Sequence, residues 1–210
     1  MRISAMKPHP DPTDADLVQS MLDGEEEALA VLYERRQRGI YRFALQMCGS
    51  QPLAEDVTQE VFIVLIRDGH TFDPARGSLT AFLMGVARNL LLRRLQRERF
   101  YAPLDDGAGE ESAGLESLTT TSGPHEDFSR AEAVTSVRAA VLALPVRYRE
   151  VVVLCDLQEM SYLEAAEILG CAVGTIRSRL HRARALLIDK LGPVREEEPA
   201  ATTKSARCFA

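Results

Sequence analysis

Apolar positions recur along the chain at three- and four-residue spacing, in stripes separated by short breaks rich in Gly, Pro and Ser. Thr13 or Asp14 can cap a first helix running through Leu22. Glu25, Glu26 and Glu27 place acids in the first turn of a second helix, where the dipole favours them. Leu29, Leu32, Tyr33, Ile40, Phe43, Ala44 and Met47 form its inward stripe, and Gly49-Ser50-Gln51-Pro52 breaks it. Leu53, Val57, Val61, Val64 and Leu65 mark a third helix, followed by a loop from Asp68 to Gly77. Ser78 caps a fourth, with Leu79, Phe82, Leu83, Val86 and Leu90 inside. The pattern then lapses from Tyr101 to Phe128 and resumes at Ser129, with Val134, Val137, Val141 and Leu144 facing inward. Pro145 starts the next helix, which takes in the β-branched run Val151-Val152-Val153-Leu154. No convincing two-residue alternation appears, so the fold class is all-α.

The stretch from Leu144 to Leu187 has the most definite local chemistry. Ser161 and Glu164 form a capping box that opens a short helix, and Gly170 stands where a C′ glycine ends it. Thr175 then begins a longer helix with Ile176, Leu180, Ala183 and Leu187 on one face. At about 100° per residue, Arg177, Ser178, His181 and Arg182 fall opposite. Solvated helix faces usually mix signs for i,i+4 pairing. Here Arg177, Arg179, Arg182 and Arg184 come with no acid before Asp189. Two short helices, the second apolar behind and Arg-rich in front, are the design of a DNA-reading helix-turn-helix.

The net charge of −6 argues against nucleic acid until it is divided along the chain. Residues 1–100 carry 13 basic and 14 acidic side chains. Residues 101–128 hold seven acids and no Lys or Arg, whereas residues 129–192 hold 9 basic and 7 acidic groups. The acidity therefore sits in the segment between the two patterned regions, and local faces decide phosphate binding. This divides the chain into a flexible lead (1–13), a four-helix domain (14–100), a flexible acidic linker (101–128), a helix-turn-helix domain (129–192) and a disordered tail (193–210). The fourth helix ends in a basic run of its own: Arg88, Arg93, Arg94, Arg97 and Arg99 against Glu98.

Chemistry of other kinds is not encoded in a recognisable pattern. The four cysteines are widely separated, and His9, His70, His125 and His181 are scattered, so no zinc site and no cofactor are expected. Neither a phosphate-cradling Gly loop nor a nucleophile–base arrangement is present, so no enzyme is expected. No apolar run approaches the ~18 residues of a membrane span, and the first residues lack the apolar core of a signal peptide. A cytoplasmic protein without stable membrane insertion is expected.

Two strings carry a family resemblance. Ala54-Glu55-Asp56-Val57-Thr58-Gln59-Glu60-Val61-Phe62 resembles the AEDLxQExF signature of the sigma-2 domain, and SYLEAAEILGCAVGTIRSRLHRAR resembles the sigma-4 domain. In this order, and separated by a linker, they make the chain similar to the extracytoplasmic-function (ECF) sigma factors of the sigma-70 family. The resemblance implies a promoter-specificity subunit of RNA polymerase, with a sigma-2-like and a sigma-4-like domain. It implies that the face formed by Asp56, Gln59 and Glu60 docks on the coiled coil of the polymerase β′ subunit and that the second domain meets the β flap. It assigns the −10 promoter element to the fourth helix, with Arg88, Asn89, Arg93 and Arg97, and to the Asp68–Gly77 loop. It assigns the −35 element to Thr175, Arg177, Ser178, Arg179, His181 and Arg182. Arg can bind guanine bidentately, and Thr175 and Arg179 suit phosphate. The resemblance further implies an anti-sigma factor and a linker threading toward the polymerase cleft, against which stands the plainer reading of the acidic segment as a solubilising tether. The chain departs from the common pattern at Phe82 (often Trp), Arg93 (often Asp), Ala165 (often Ile) and Ala172 (often Pro). The rival reading is a stand-alone helix-turn-helix regulator, which would bind DNA tightly without a polymerase.

Overall fold

Helix boundaries follow local capping chemistry. In the computed structural model, which describes residues 12–101 and 126–192, the first group comprises α1 (Asp14–Leu22), α2 (Glu26–Cys48), α3 (Gln51–Asp68) and α4 (Leu79–Tyr101). Thr13 caps α1 in a complete capping box: its Oγ1 accepts from the Asp16 N–H at 3.2 Å, and its own N–H donates to Asp16 Oδ2 at 3.0 Å. The break at residues 49–52 is where the spacing places it. Gly49 ends α2 in the left-handed region, at φ 72°, and Ser50 caps α3 by accepting from the Leu53 N–H. Leu32, Phe43, Met47, Val57, Val61, Leu65, Leu83 and Leu91 are fully buried between these helices.

Three details differ from the sequence pattern. Tyr33 lies on the flank at 38 % exposure, its ring tilted against Phe62 at 4.7 Å, and Ala28 takes the inward place. In α4 the innermost row is Leu79, Leu83, Ala87 and Leu91, with Phe82, Val86 and Leu90 half-buried beside it. This helix is apolar on more than one side because it packs on α2 and α3 and also on α7 (Tyr162–Leu169) of the second group. Val134 and Val137 do not face inward: they are 43 % and 40 % exposed. Only the last turn of the helix that carries them, α5 (Glu126–Leu142), is buried among the described residues, at Ala140 and Val141.

The second group comprises α5 (Glu126–Leu142), α6 (Val146–Val152), α7 (Tyr162–Leu169) and α8 (Val173–Leu191). After α6 the helix widens into a π-turn over Val153–Leu157, closed by the Gln158 N–H on the Val153 carbonyl at 2.9 Å. Val151, Val152, Val153 and Leu154 are all buried. Four successive helical residues point all round the axis, so this segment is enclosed, with α8 on one side and α2 on another. Ser161 and Glu164 form the expected capping box, and Gly170 ends α7 at φ 61°. The last helix begins at Val173, two residues before Thr175, because the Ala172 carbonyl already accepts from the Thr175 and Ile176 N–H groups.

The two groups share one continuous apolar core. Arg149 fastens them. Its guanidinium donates to the Met47 carbonyl at 2.6 Å in the last turn of α2, and to the carbonyls of Leu142 and Leu144 at the end of α5. One cation thus serves two helix C-termini, where orphan carbonyls and the dipole both favour positive charge. Gln158 Nε2 donates to Gln46 Oε1 at 2.7 Å across the same junction. Residues 1–11, 102–125 and 193–210, covering most of the expected lead, acidic linker and tail, lie outside the described residues.

Candidate nucleic-acid interface

On α8 the apolar and basic faces separate as the spacing predicts. Ile176, Leu180 and Ala183 are buried against α6 and α7, and Leu187 is half-buried. Arg177, Ser178, His181 and Arg182 are exposed, and Thr175 and Arg179 are half-exposed at the margin. Ser178 Oγ donates to the Thr175 carbonyl at 3.0 Å, which leaves its lone pairs as acceptors toward solvent. Among the described residues, Arg177, Arg179 and Arg182 form no ion pair. Arg184 is different. It binds Asp156 through both Nε and Nη2, at 3.1 and 2.6 Å, and that hydrogen bonding raises its guanidinium above the ordinary arginine value. Arg184 therefore ties α8 to the π-turn and leaves the outward face to its neighbours. Arg177, Arg179 and Arg182 thus line the exposed side and margin of α8 without an ion-pair partner among the described residues, a surface suited to a phosphate backbone and a major-groove edge.

The arginine run of α4 divides into separate tasks. Asn89, Arg93 and Arg97 are exposed, and neither arginine forms an ion pair among the described residues. Arg94 turns to α3, where it meets Glu60 Oε2 at 2.6 Å and Asp56 Oδ2 at 3.4 Å. Arg88 turns to the other helical group, where its Nε donates to Glu150 Oε1 at 2.7 Å. The side chain of Arg99 lies outside the described residues. The loop before α4 is shaped by Asp73, whose carboxylate accepts from the Ala75 N–H, and by Phe72, whose ring tilts against Phe82 at 5.7 Å. Phe82 thus anchors the loop on the helix.

Asp56, Gln59 and Glu60 do share one side of α3, opposite buried Val57 and Val61, with Asp56 and Gln59 exposed. Beside them a cleft of about 360 Å³ opens between α2 and α3, lined by Tyr33, Gln37, Arg38, Tyr41, Glu55, Thr58 and Gln59. Farther along the same helices Ile63 and Ile66 stand 59 % and 53 % exposed. The α2 side of this surface was not evident from the sequence. Its only trace is the pair of aromatic residues, Tyr33 and Tyr41, at the edge of the apolar stripe. Arg149 and Glu150 were likewise missed: they are charged residues inside an otherwise apolar run, but their partners are remote in sequence.

Comparison with known proteins places these surfaces in a family. Residues 32–101 match Sigma-70 region 2, and residues 135–187 match Sigma-70, region 4. The chain is 30 % identical over 177 residues to the ECF RNA polymerase sigma factor SigW of Bacillus subtilis (strain 168), covering 83 % of this chain and 94 % of SigW. Its fold is similar to CnrH in complex with the cytosolic domain of CnrY, with a TM-score of 0.62, 25 % identity, and coverage of 85 % of this chain and 96 % of CnrH. It is also similar to the sigma factor RpoE in complex with the anti-sigma factor NepR from Bartonella quintana, with a TM-score of 0.61, 26 % identity, and coverage of 82 % and 99 %. With two exposed basic helix faces on an all-α frame, and with relatives matched over most of their length, the chain belongs to the ECF RNA polymerase sigma factors of the sigma-70 family.

Proposed function

We propose that the chain directs RNA polymerase to promoters by dividing the work among three surfaces. Asp56, Gln59 and Glu60, with the cleft beside them, dock on the β′ coiled coil. The outward face of α8 reads the −35 element through Arg177, Ser178, His181 and Arg182, with Thr175 and Arg179 on phosphates. The exposed groups of α4, Asn89, Arg93 and Arg97, together with Arg88 once it is released, hold the −10 element. The second helical group meets the β flap. The observation that carries this reading is the basic face of α8, with Arg177 and Arg182 unpaired among the described residues, set against the buried row Ile176, Leu180 and Ala183 within the region matched to sigma region 4. The protein contributes no catalytic step, since nucleotidyl transfer belongs to the polymerase, and it acts in the cytoplasm where the polymerase is. An anti-sigma factor controls it, a reading supported by the similarity to RpoE in complex with NepR.

The test is transcription in vitro by purified core polymerase on a library of randomised promoters, with and without the chain. With the chain, transcripts start downstream of two enriched sequence blocks. Asp56→Ala combined with Gln59→Ala abolishes that enrichment while leaving the helical spectrum intact. Enrichment that survives the double variant would remove the docking face from the proposal. No enrichment with the intact chain would remove the sigma reading itself.

A further inference from the structure

Arg184 follows Arg177 by seven residues, two turns along nearly the same side of α8, so its place alone would make it another DNA ligand. Instead its Nε and Nη2 each donate to one carboxylate oxygen of Asp156, at 3.1 and 2.6 Å. Among the described residues no other side chain of α8 hydrogen-bonds to another helix or turn. Asp156 stands on a fixed base, in the π-turn whose Val153 and Leu154 are buried. The pair itself lies at the surface, with side chains 54 % and 28 % exposed, so it adds little to stability. What it adds is direction. Burial of Ile176, Leu180 and Ala183 holds α8 on α6 and α7, but apolar burial is non-directional. A two-point guanidinium–carboxylate fork fixes both a distance and an angle. Rotating a helix by about 10° moves a group about 6 Å from its axis by about 1 Å, more than the ~0.5 Å that a polar recognition site tolerates.

We propose that Arg184 and Asp156 are positioning residues for −35 recognition: their fork sets the rotation of α8 about its buried row, so that Arg177, Ser178, His181 and Arg182 meet the base edges in register, while Arg184 itself makes no contact with DNA. This rests on the −35 reading of α8. Charge alone and positioning predict opposite effects at Asp156. It is an acid at the margin of a surface that is to receive a polyanion, so by charge alone its removal tightens binding to any duplex. As the anchor of the fork, its removal instead loosens α8 and erodes the choice between sequences. Arg184 gives the complementary contrast. Lysine keeps the charge that a phosphate needs but cannot reproduce the planar fork.

The test uses full-length Asp156→Asn, Arg184→Gln, Arg184→Lys and the Asp156→Asn/Arg184→Gln double variant, each assembled with core polymerase. Fluorescence anisotropy compares a promoter duplex carrying the upstream block recovered by the promoter selection with one in which that block is scrambled, over a range of salt. Amide hydrogen exchange of α8 in the free chain reports its anchoring without reference to DNA. Each single variant, Arg184→Lys included, is expected to lower the preference for the recovered block about tenfold, within the range that loss of one base-reading contact gives. The double variant is no worse than either single, because the two side chains act as one unit. The salt slope stays as in the parent, exchange in α8 quickens, and the melting point stays close to the parent's. The proposal is overturned if Asp156→Asn tightens binding to both duplexes with the preference intact. It is equally overturned if Arg184→Gln weakens both duplexes alike, lowers the salt slope by about 1 and is rescued by Arg184→Lys, which makes Arg184 a phosphate ligand. If the parent shows no preference between the blocks while exchange in α8 quickens in every variant, the fork still positions the helix and the −35 reading falls.

Discussion

Leu180 and Arg177 lie three residues apart on α8, one buried and the other exposed, so their alanine variants are expected to fail in different assays. Leu180 is 2 % exposed, between α6 and α7. Leu180→Ala removes three buried carbons, about 2.4 kcal/mol at ~0.8 kcal/mol each. Incomplete collapse around the cavity raises the loss to about 3–4 kcal/mol. For a chain of this size each kcal/mol lowers Tm by about 2–4 °C, so the melting point falls by roughly 10 °C. Arg177 is exposed and unpaired among the described residues, and its truncation changes stability by no more than about 0.5 kcal/mol. In promoter binding by the assembled polymerase, however, loss of a base-reading arginine costs about 1–3 kcal/mol. That is about 5- to 150-fold in affinity. Circular dichroism melts and anisotropy titrations of the −35 duplex measure the two effects separately. If Arg177→Ala melts as early as Leu180→Ala, or Leu180→Ala melts as late as the parent, the helix does not present the faces described.

Two further outcomes follow from the caps. Ser161→Ala removes the capping box of α7 and should lower stability by about 1 kcal/mol, weakening −35 binding because α7 supports α8; glycine at the same position should cost less. In α1, hydrogen bonds from the Thr13 hydroxyl and backbone N–H hold the Asp16 carboxyl below its usual value. A depressed carboxylate contributes stability that is present above the ordinary pKa of about 3.9 and is lost as pH falls through the lower folded value. Thr13→Ala should therefore lower Tm more at pH 7 than at pH 2, where only the loss of the helix cap remains, and an equal effect at both would contradict the assignment.

Much of the fold was legible because it rests on short-range chemistry. Ser161 with Glu164, Gly170, Gly49 and the Ile176/Leu180/Ala183 face are settled within one or two helical turns. The same holds for the outward arginines of α8, whose orientation follows from that buried face. What sequence periodicity cannot give is the partner. Arg88 looks like one member of a basic run, yet it is held by Glu150, 62 residues away. Arg94 looks like a phosphate ligand but pairs with Asp56 and Glu60 of the face proposed to dock on the polymerase. Val134 and Val137 continue an apolar stripe, yet among the described residues nothing buries them. The π-turn at Val153–Leu157 leaves no mark in a β-branched run that fits an ordinary helix equally well.

The claim on which the rest depends is that these DNA-facing groups read a promoter only in the polymerase's hold. Residues 129–192 carry a net charge of +2 from 9 basic and 7 acidic groups, too little for tight association unaided. The direct measurement is anisotropy of one promoter duplex at physiological salt, titrated with the chain alone, with core polymerase alone, and with both. Sequence-specific, nanomolar binding is expected only from the mixture. Nanomolar specific binding by the chain alone would contradict it and identify a self-sufficient helix-turn-helix regulator instead.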